Sequence, residues 1–96
     1  MAFIAVVTHK VNDFAAWKKV YDTFRGTQKE GGVRNHQVLR SNDDPNVVMV
    51  THSFDTLALA QKFFSSAALK KAMTDGGVDA SSTKVTFYEQ VASGPL

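Results

Sequence analysis

The chain alternates between dense apolar runs and segments in which apolar residues recur every three or four positions. Residues 3–11 (FIAVVTHKV) are mostly apolar and β-branched, the pattern of a strand covered on both faces. Asn12-Asp13 then offers a helix N-cap. Phe14, Trp17, Tyr21 and Phe24 follow at spacings of three and four and share one helical face, while Lys18, Lys19, Asp22, Arg25 and Lys29 mostly take the other. Gly31-Gly32 ends that helix, and Gly26 weakens its last turns. Residues 33–40 (VRNHQVLR) read as a more polar edge strand. Asp43-Asp44-Pro45-Asn46 is a turn by composition, and residues 47–54 (VVMVTHSF) form a second strongly apolar strand. The short link predicts an antiparallel hairpin. Asp55 is the expected cap of a second helical region, whose inner face is Leu57, Ala60, Phe63 and Phe64. Ser65-Ser66 breaks it, and Ser66 recaps a shorter helix with Leu69, Ala72 and Met73 inward and Gly76-Gly77 at its end. Residues 84–91 (KVTFYEQV) make a fourth strand, and Ala92–Leu96 carry no signal.

The order β, α, β, β, α, β predicts an α+β fold of the ferredoxin-like kind. Right-handed crossovers place the strands in the order 4-1-3-2, all antiparallel, with both helical regions on one face. The other face should then be polar. It is not: Phe3, Ala5 and Val7 oppose Ile4 and Val6, Val47 and Met49 oppose Val48 and Val50, and Val85, Phe87 and Val91 oppose Thr86 and Tyr88. Whichever face the helices cover, apolar side chains remain on the back, and such a patch needs a partner. A homodimer with two sheets packed back to back supplies one.

At 96 residues the chain amounts to one domain, residues 1–96, with a thin margin of stability that oligomerisation would raise. Cysteine is absent, so disulfides, thiolate chemistry and thiolate zinc sites are excluded. A net charge of +2 is too weak to argue for nucleic acid, and the pairs Lys18-Lys19 and Lys70-Lys71 have acidic residues close by. No stretch is long enough to span a membrane, and the first apolar run lacks the basic flank and cleavage site of a signal peptide. A cytoplasmic location is the expectation.

The segments HKVNDFAAWKKVYD, GVRNHQVLRSNDDPN, VVMVTHSFDTLALAQKFFSSAALKKAM and VTFYEQV resemble small bacterial proteins of the dimeric α+β barrel superfamily, which includes the antibiotic-biosynthesis-monooxygenase type. The resemblance covers nearly the whole chain and implies that fold. Related barrels include cofactor-free oxygenases of aromatic polyketides, polyketide cyclases, haem-degrading enzymes and proteins with no known activity, so a reaction is not implied. The haem-degrading members resemble one another in an Asn, a Trp and a His, the last two late in the chain. Here the only tryptophan is Trp17, and the second helical region has no histidine. That branch does not fit.

The three histidines have no metal-ligand spacing such as HxH or HExxH, and no glycine-rich phosphate loop follows the first strand. No metal, flavin, haem or other cofactor is expected. His9, near the end of the first strand, falls about 10 Å or more from His52 at ~3.3 Å per residue. His36 and His52 lie opposite one another in the hairpin, or one step apart. In the first register they share a face, about 5 Å apart; a slip puts them on opposite faces. Two hydrogen-bonded structural histidines, or a general base whose pKa is lowered by its neighbour, both fit this pattern. Phe14, Trp17, Tyr21, Phe24, Phe63 and Phe64 read either as core or as the wall of a ligand cavity, which opens there in similar folds. In the second reading a flat, weakly acidic aromatic molecule is the ligand. His52, His36 or His9 would act as base and Tyr21 or Trp17 as hydrogen-bond donor, with Tyr88 and Glu89 in reserve. Asp43 and Asp44 are explained by the turn.

Overall fold

The computed structural model describes residues 2–96. The elements are β1 (Phe3–Lys10), α1 (Phe14–Thr23), α2 (Arg25–Glu30), β2 (Asn35–Arg40), β3 (Val47–Phe54), α3 (Leu57–Phe64), α4 (Ala67–Asp75), a 3-10 turn (Ala80–Ser82) and β4 (Lys84–Glu89). Asp13 starts α1 by accepting a hydrogen bond from the Ala16 amide at 3.0 Å. The expected single helix is broken at Phe24, two residues before Gly26. Phe24 sits at φ −86°, ψ 0°, and its amide donates to the Tyr21 carbonyl at 3.0 Å, which tightens the turn between α1 and α2. Gly32 at φ +92° and Gly77 at φ +72° make the two reversals back toward the sheet.

The second helical region begins one residue later than expected. Thr56, not Asp55, is the cap of α3, and its hydroxyl accepts from the Leu59 amide at 3.1 Å. Asp55 is engaged elsewhere, because both the Nε and Nη2 of Arg34 donate to its carboxylate, at 3.0 and 2.7 Å. Ser66 recaps α4 as its position suggested, accepting from the Leu69 amide at 3.2 Å. Among the described residues no helix is long and apolar enough to cross a membrane.

The four strands form one antiparallel sheet in the order β2-β3-β1-β4, which is the predicted order read from the other edge. The hairpin closes with the Ser41 amide donating to the Val47 carbonyl at 3.0 Å, and the Asp44 carboxylate accepts from the Asn46 amide at 2.9 Å. That turn sets His36 directly opposite His52.

The helices cover the face bearing Ala5, Val7 and His9 of β1 and Val48, Val50, His52 and Phe54 of β3, all buried. Two apolar clusters result. Val7, Val11, Trp17, Val48 and Val50 form one; Ala5, Phe54, Ala60 and Phe63 form the other. Phe64 touches both. The opposite face carries Ile4, Val6, Val47, Met49, Leu39 and Tyr88 among threonines, serine and glutamine, and the helices leave it uncovered. Leu39, Met49 and Tyr88 are exposed. Val91, expected in the last strand, lies beyond its end at Glu89 and is exposed.

Phe54 has no exposed surface and is among the largest fully buried side chains. Phe54→Ala should cost about 3–5 kcal/mol, from lost burial and an unfilled cavity, a large fraction of the stability of so small a domain. Urea denaturation followed by circular dichroism checks this, with the loss expected in the midpoint and not in the slope.

Candidate functional site

Between α1, α4 and the covered face of the sheet lies a cavity of about 50 Å³. Val7 and Val50 form its floor, Trp17 and Tyr21 of α1 with Phe24 just beyond it one wall, and Leu69, Ala72 and Met73 of α4 the outer wall. The wall is apolar except for His9, Gln28, His52 and the Tyr21 hydroxyl. α1 supplies its aromatic wall because the three- and four-residue spacing points those rings at the sheet. Trp17 stacks on Tyr21 with ring centres 5.0 Å apart and planes 26° apart.

His52 is 4% exposed. The rings of Phe63 and Phe64 each lie 5.7 Å away and that of Phe54 6.4 Å away. Burial among these rings lowers its pKa to about 4, helped by the nearby charge that His36 can carry. The Nδ1 of His52 has no hydrogen-bond partner among the described residues. Its Nε2 lies 3.4 Å from the Tyr21 hydroxyl and 3.4 Å from the Gln28 amide. His9 stands at the other end of the cavity, edge-on to Trp17 with ring centres 5.7 Å apart. It is equally buried, burial lowers its pKa, and neither ring nitrogen has a partner among the described residues. Each unsatisfied polar group in such a setting costs about 1–3 kcal/mol. The Tyr21 phenol is also held neutral, its pKa raised mainly by burial.

The fold therefore brings His9, Trp17, Tyr21, Phe24, Phe64 and His52 to one cavity. Other candidates fall outside it. His36 is exposed, so the expected pair of partly buried rings reduces to His52 alone; the His36 Nδ1 lies 2.8 Å from the Tyr21 hydroxyl. Phe14 packs under the Arg40 guanidinium at 4.2 Å, and Phe63 stands behind His52. Tyr88 is on the uncovered sheet face and Glu89 is exposed at the end of β4, so neither reserve reaches the cavity. His9 and His52 are four residue pairs apart along the β1–β3 ladder, as their positions required. Among the described residues no group of three or more His, Cys, Asp or Glu side chains could hold a metal ion. Gln28 escaped the sequence reading, although it lies four positions after Phe24 and so continues the same helical stripe.

The chain matches no protein-family model, and no curated protein matches it in sequence. Its fold matches solved structures closely. A protein of Bordetella bronchiseptica named for antibiotic biosynthesis monooxygenases superposes with a TM-score of 0.79 at 14% identity, over 95% of this chain and 98% of that one. A Caulobacter crescentus protein named in the same way superposes at 0.75 with 20% identity, over 95% and 91%. SnoaB, a cofactor-independent oxygenase from Streptomyces nogalater, superposes at 0.77 with 12% identity, over 99% and 98%. The resemblance read from the sequence is thus borne out as a fold, that of the antibiotic-biosynthesis-monooxygenase type.

Burial of His52 also ties stability to pH. The folded ring has a pKa of about 4, below the ordinary 6.5, so the unfolded chain binds this proton more readily. Stability should be fully present above about pH 6.5, fall by about 3 kcal/mol as pH drops toward 4, and level off below that. Burial of His9 adds in the same direction. Denaturation midpoints measured across this range should show the fall, and His52→Gln should flatten most of it.

Proposed function

We propose that this chain, with its antibiotic-biosynthesis-monooxygenase fold, binds a flat, weakly acidic aromatic molecule in the cavity beneath α1 and α4 and removes a proton from it in a cofactor-free oxygenation or cyclisation. The observation behind this reading is the pair of buried imidazoles with unpartnered nitrogens on an otherwise apolar cavity. A substrate with an acidic C–H or phenol group would partner them. In this reading His52 is the base, the Trp17 indole N–H is the donor to the oxyanion that forms, and His9 meets the far end of the ligand. A ring with a pKa of about 4 is a weak base in isolation. The anion it generates sits beside it, and that ion pair offsets part of the burial penalty at the moment of transfer. The resulting carbanion would reduce dioxygen directly, so no flavin or metal is required.

The second reading is a binding protein without catalysis, and the size of the cavity favours it. About 50 Å³ is far below the ~300–1,000 Å³ of typical ligand pockets. A multi-ring ligand needs α4 to move outward. That helix has no fully buried residue, so it is the least anchored wall. The two readings separate in one experiment. With an anthrone-type probe in aerated buffer, an oxygen electrode should register uptake, and His52→Ala should slow it by about 10²–10⁴-fold. Quenching of Trp17, the only tryptophan, should report binding in both proteins. Quenching without oxygen uptake in the wild type selects the binder; absence of both rejects the cavity as a site for this class.

The uncovered sheet face supports a homodimer. Ile4 and Tyr88 pair across β1 and β4, and Leu39 and Met49 across β2 and β3, so two apolar patches flank the Val6 row. A second copy would bury both. Light scattering at micromolar concentration should give about twice the 10.5 kDa chain mass. Val6→Asp or Met49→Lys should shift the mass toward one chain. These positions test the interface, whereas Val7 and Val50 lie under the helices and would test the core.

A further inference from the structure

We propose that His36, Tyr21 and His52 form a relay that carries a proton between solvent and the buried cavity, with the exposed His36 as its outer end. The inference builds on the reading of His52 as the base of the site, since a base enclosed by phenylalanine rings needs a route by which its proton leaves. The Tyr21 hydroxyl is placed between the two rings, 2.8 Å from the His36 Nδ1 and 3.4 Å from the His52 Nε2. A hydroxyl that donates to one ring can accept from the other, which gives two arrangements in which Tyr21 links the rings as donor and acceptor. In the first, Tyr21 donates to the His36 Nδ1 and accepts from His52 Nε2–H, which leaves the His52 Nδ1 as a free lone pair. In the second, His36 Nδ1–H donates to Tyr21, Tyr21 donates to the His52 Nε2, and His52 carries its proton on Nδ1.

One pass along the relay converts the first arrangement into the second. His52 takes a proton at Nδ1 from a cavity ligand. Its Nε2 proton moves to the Tyr21 oxygen, the Tyr21 proton moves to the His36 Nδ1, and His36 releases its Nε2 proton to water. One proton enters and one leaves, and each ring ends neutral. The 3.4 Å step is longer than a well-formed bond, and contacts of this kind shorten when a ligand closes the site. Gln28, 3.4 Å from the same Nε2, can serve either arrangement by turning its amide, since the oxygen accepts and the nitrogen donates.

The surroundings set the polarity of the relay. His36 meets Tyr21 from α1 and His52 from β3, and it shares a cleft with Arg25 and Lys29 of α2 and the neighbouring Arg34. No acidic side chain lines that cleft among the described residues, and Glu89 lines a second cleft that His36 borders. The polar side chains around His52 are Tyr21, His36 and Gln28, set among phenylalanine rings, with His9 at the far end of the same cavity.

Nitrogen-15 NMR of the full chain without ligand tests the relay directly, because each ring nitrogen reports whether it carries a proton. As His36 is protonated by titration, the neutral His52 ring should change from the Nε2–H form to the Nδ1–H form. Tyr21→Phe should abolish that exchange and leave His52 in one form throughout. His36→Gln, at an exposed position, should do the same. A His52 ring that keeps one form while His36 titrates in the wild type overturns the proposal, as does persistence of the exchange in Tyr21→Phe. If only the charge of His36 were felt, all His52 signals would drift without a change of protonated nitrogen, which also rejects the relay. Absence of substrate turnover leaves this readout untouched, so the relay and the enzymatic reading fail separately.

Discussion

The antiparallel pairing of β3 with β1 on one side and β2 on the other is the constraint on which the rest of the molecule depends. Strand side chains alternate with a period of two, so the register decides at once which residues lie under the helices. With His36 opposite His52 and Ala5 opposite the latter, the covered face receives His9, His52, Val7, Val48 and Val50 together. Moving the hairpin by one residue would put His36 on the opposite face from His52. The Asp44–Asn46 turn and the Ser41–Val47 closure hold it in place.

Given that register, α1 does two kinds of work with one stripe of aromatic residues. Trp17 is buried in the core, and Tyr21 adds its ring to the same packing. The Tyr21 hydroxyl at the same time reaches two histidines on different strands. The stripe continues past Phe24 into α2, where Gln28 is buried beside His52. The result is a small polar group of imidazole, phenol and amide inside an apolar shell. Burial keeps each of these groups in its neutral form, lowering the pKa of His52 and His9 and raising that of Tyr21.

The sheet has a second consequence. Four strands and four short helices can cover only one face, and the uncovered face carries Ile4, Val6, Met49 and Leu39 beside polar neighbours. The cavity and the apolar back face therefore lie on opposite sides of one layer, with side chains from adjacent positions of the same strands. Val7 lines the cavity while Val6 faces away from it, and Val50 and Met49 divide in the same manner.

Much of this was legible along the chain, because it depends on local periodicity. The two-residue and 3.6-residue rhythms, the caps at Asp13 and Ser66, the glycine reversals and the hairpin turn are each written within a few residues, and together with crossover handedness they determine the strand order. The aromatic stripe of α1 follows from the same arithmetic, which left the facing of His36 and His52 open by one residue until the hairpin register was fixed. What the tertiary structure decided involves competition between distant groups. Arg34 captured Asp55 and left the cap of α3 to Thr56. The burial of Gln28 beside His52 depended on how α2 packs against the sheet. The depth of each histidine depended on which neighbours close over it: His52 is sealed by Phe63 and Phe64 from α3, while His36, directly opposite on the edge strand, has the Tyr21 ring on one side and stays exposed. Sequence spacing sets the face on which a side chain lies, but burial is set by what packs onto that face, and for these two rings it separates a solvent-exposed histidine from one whose pKa is about 4.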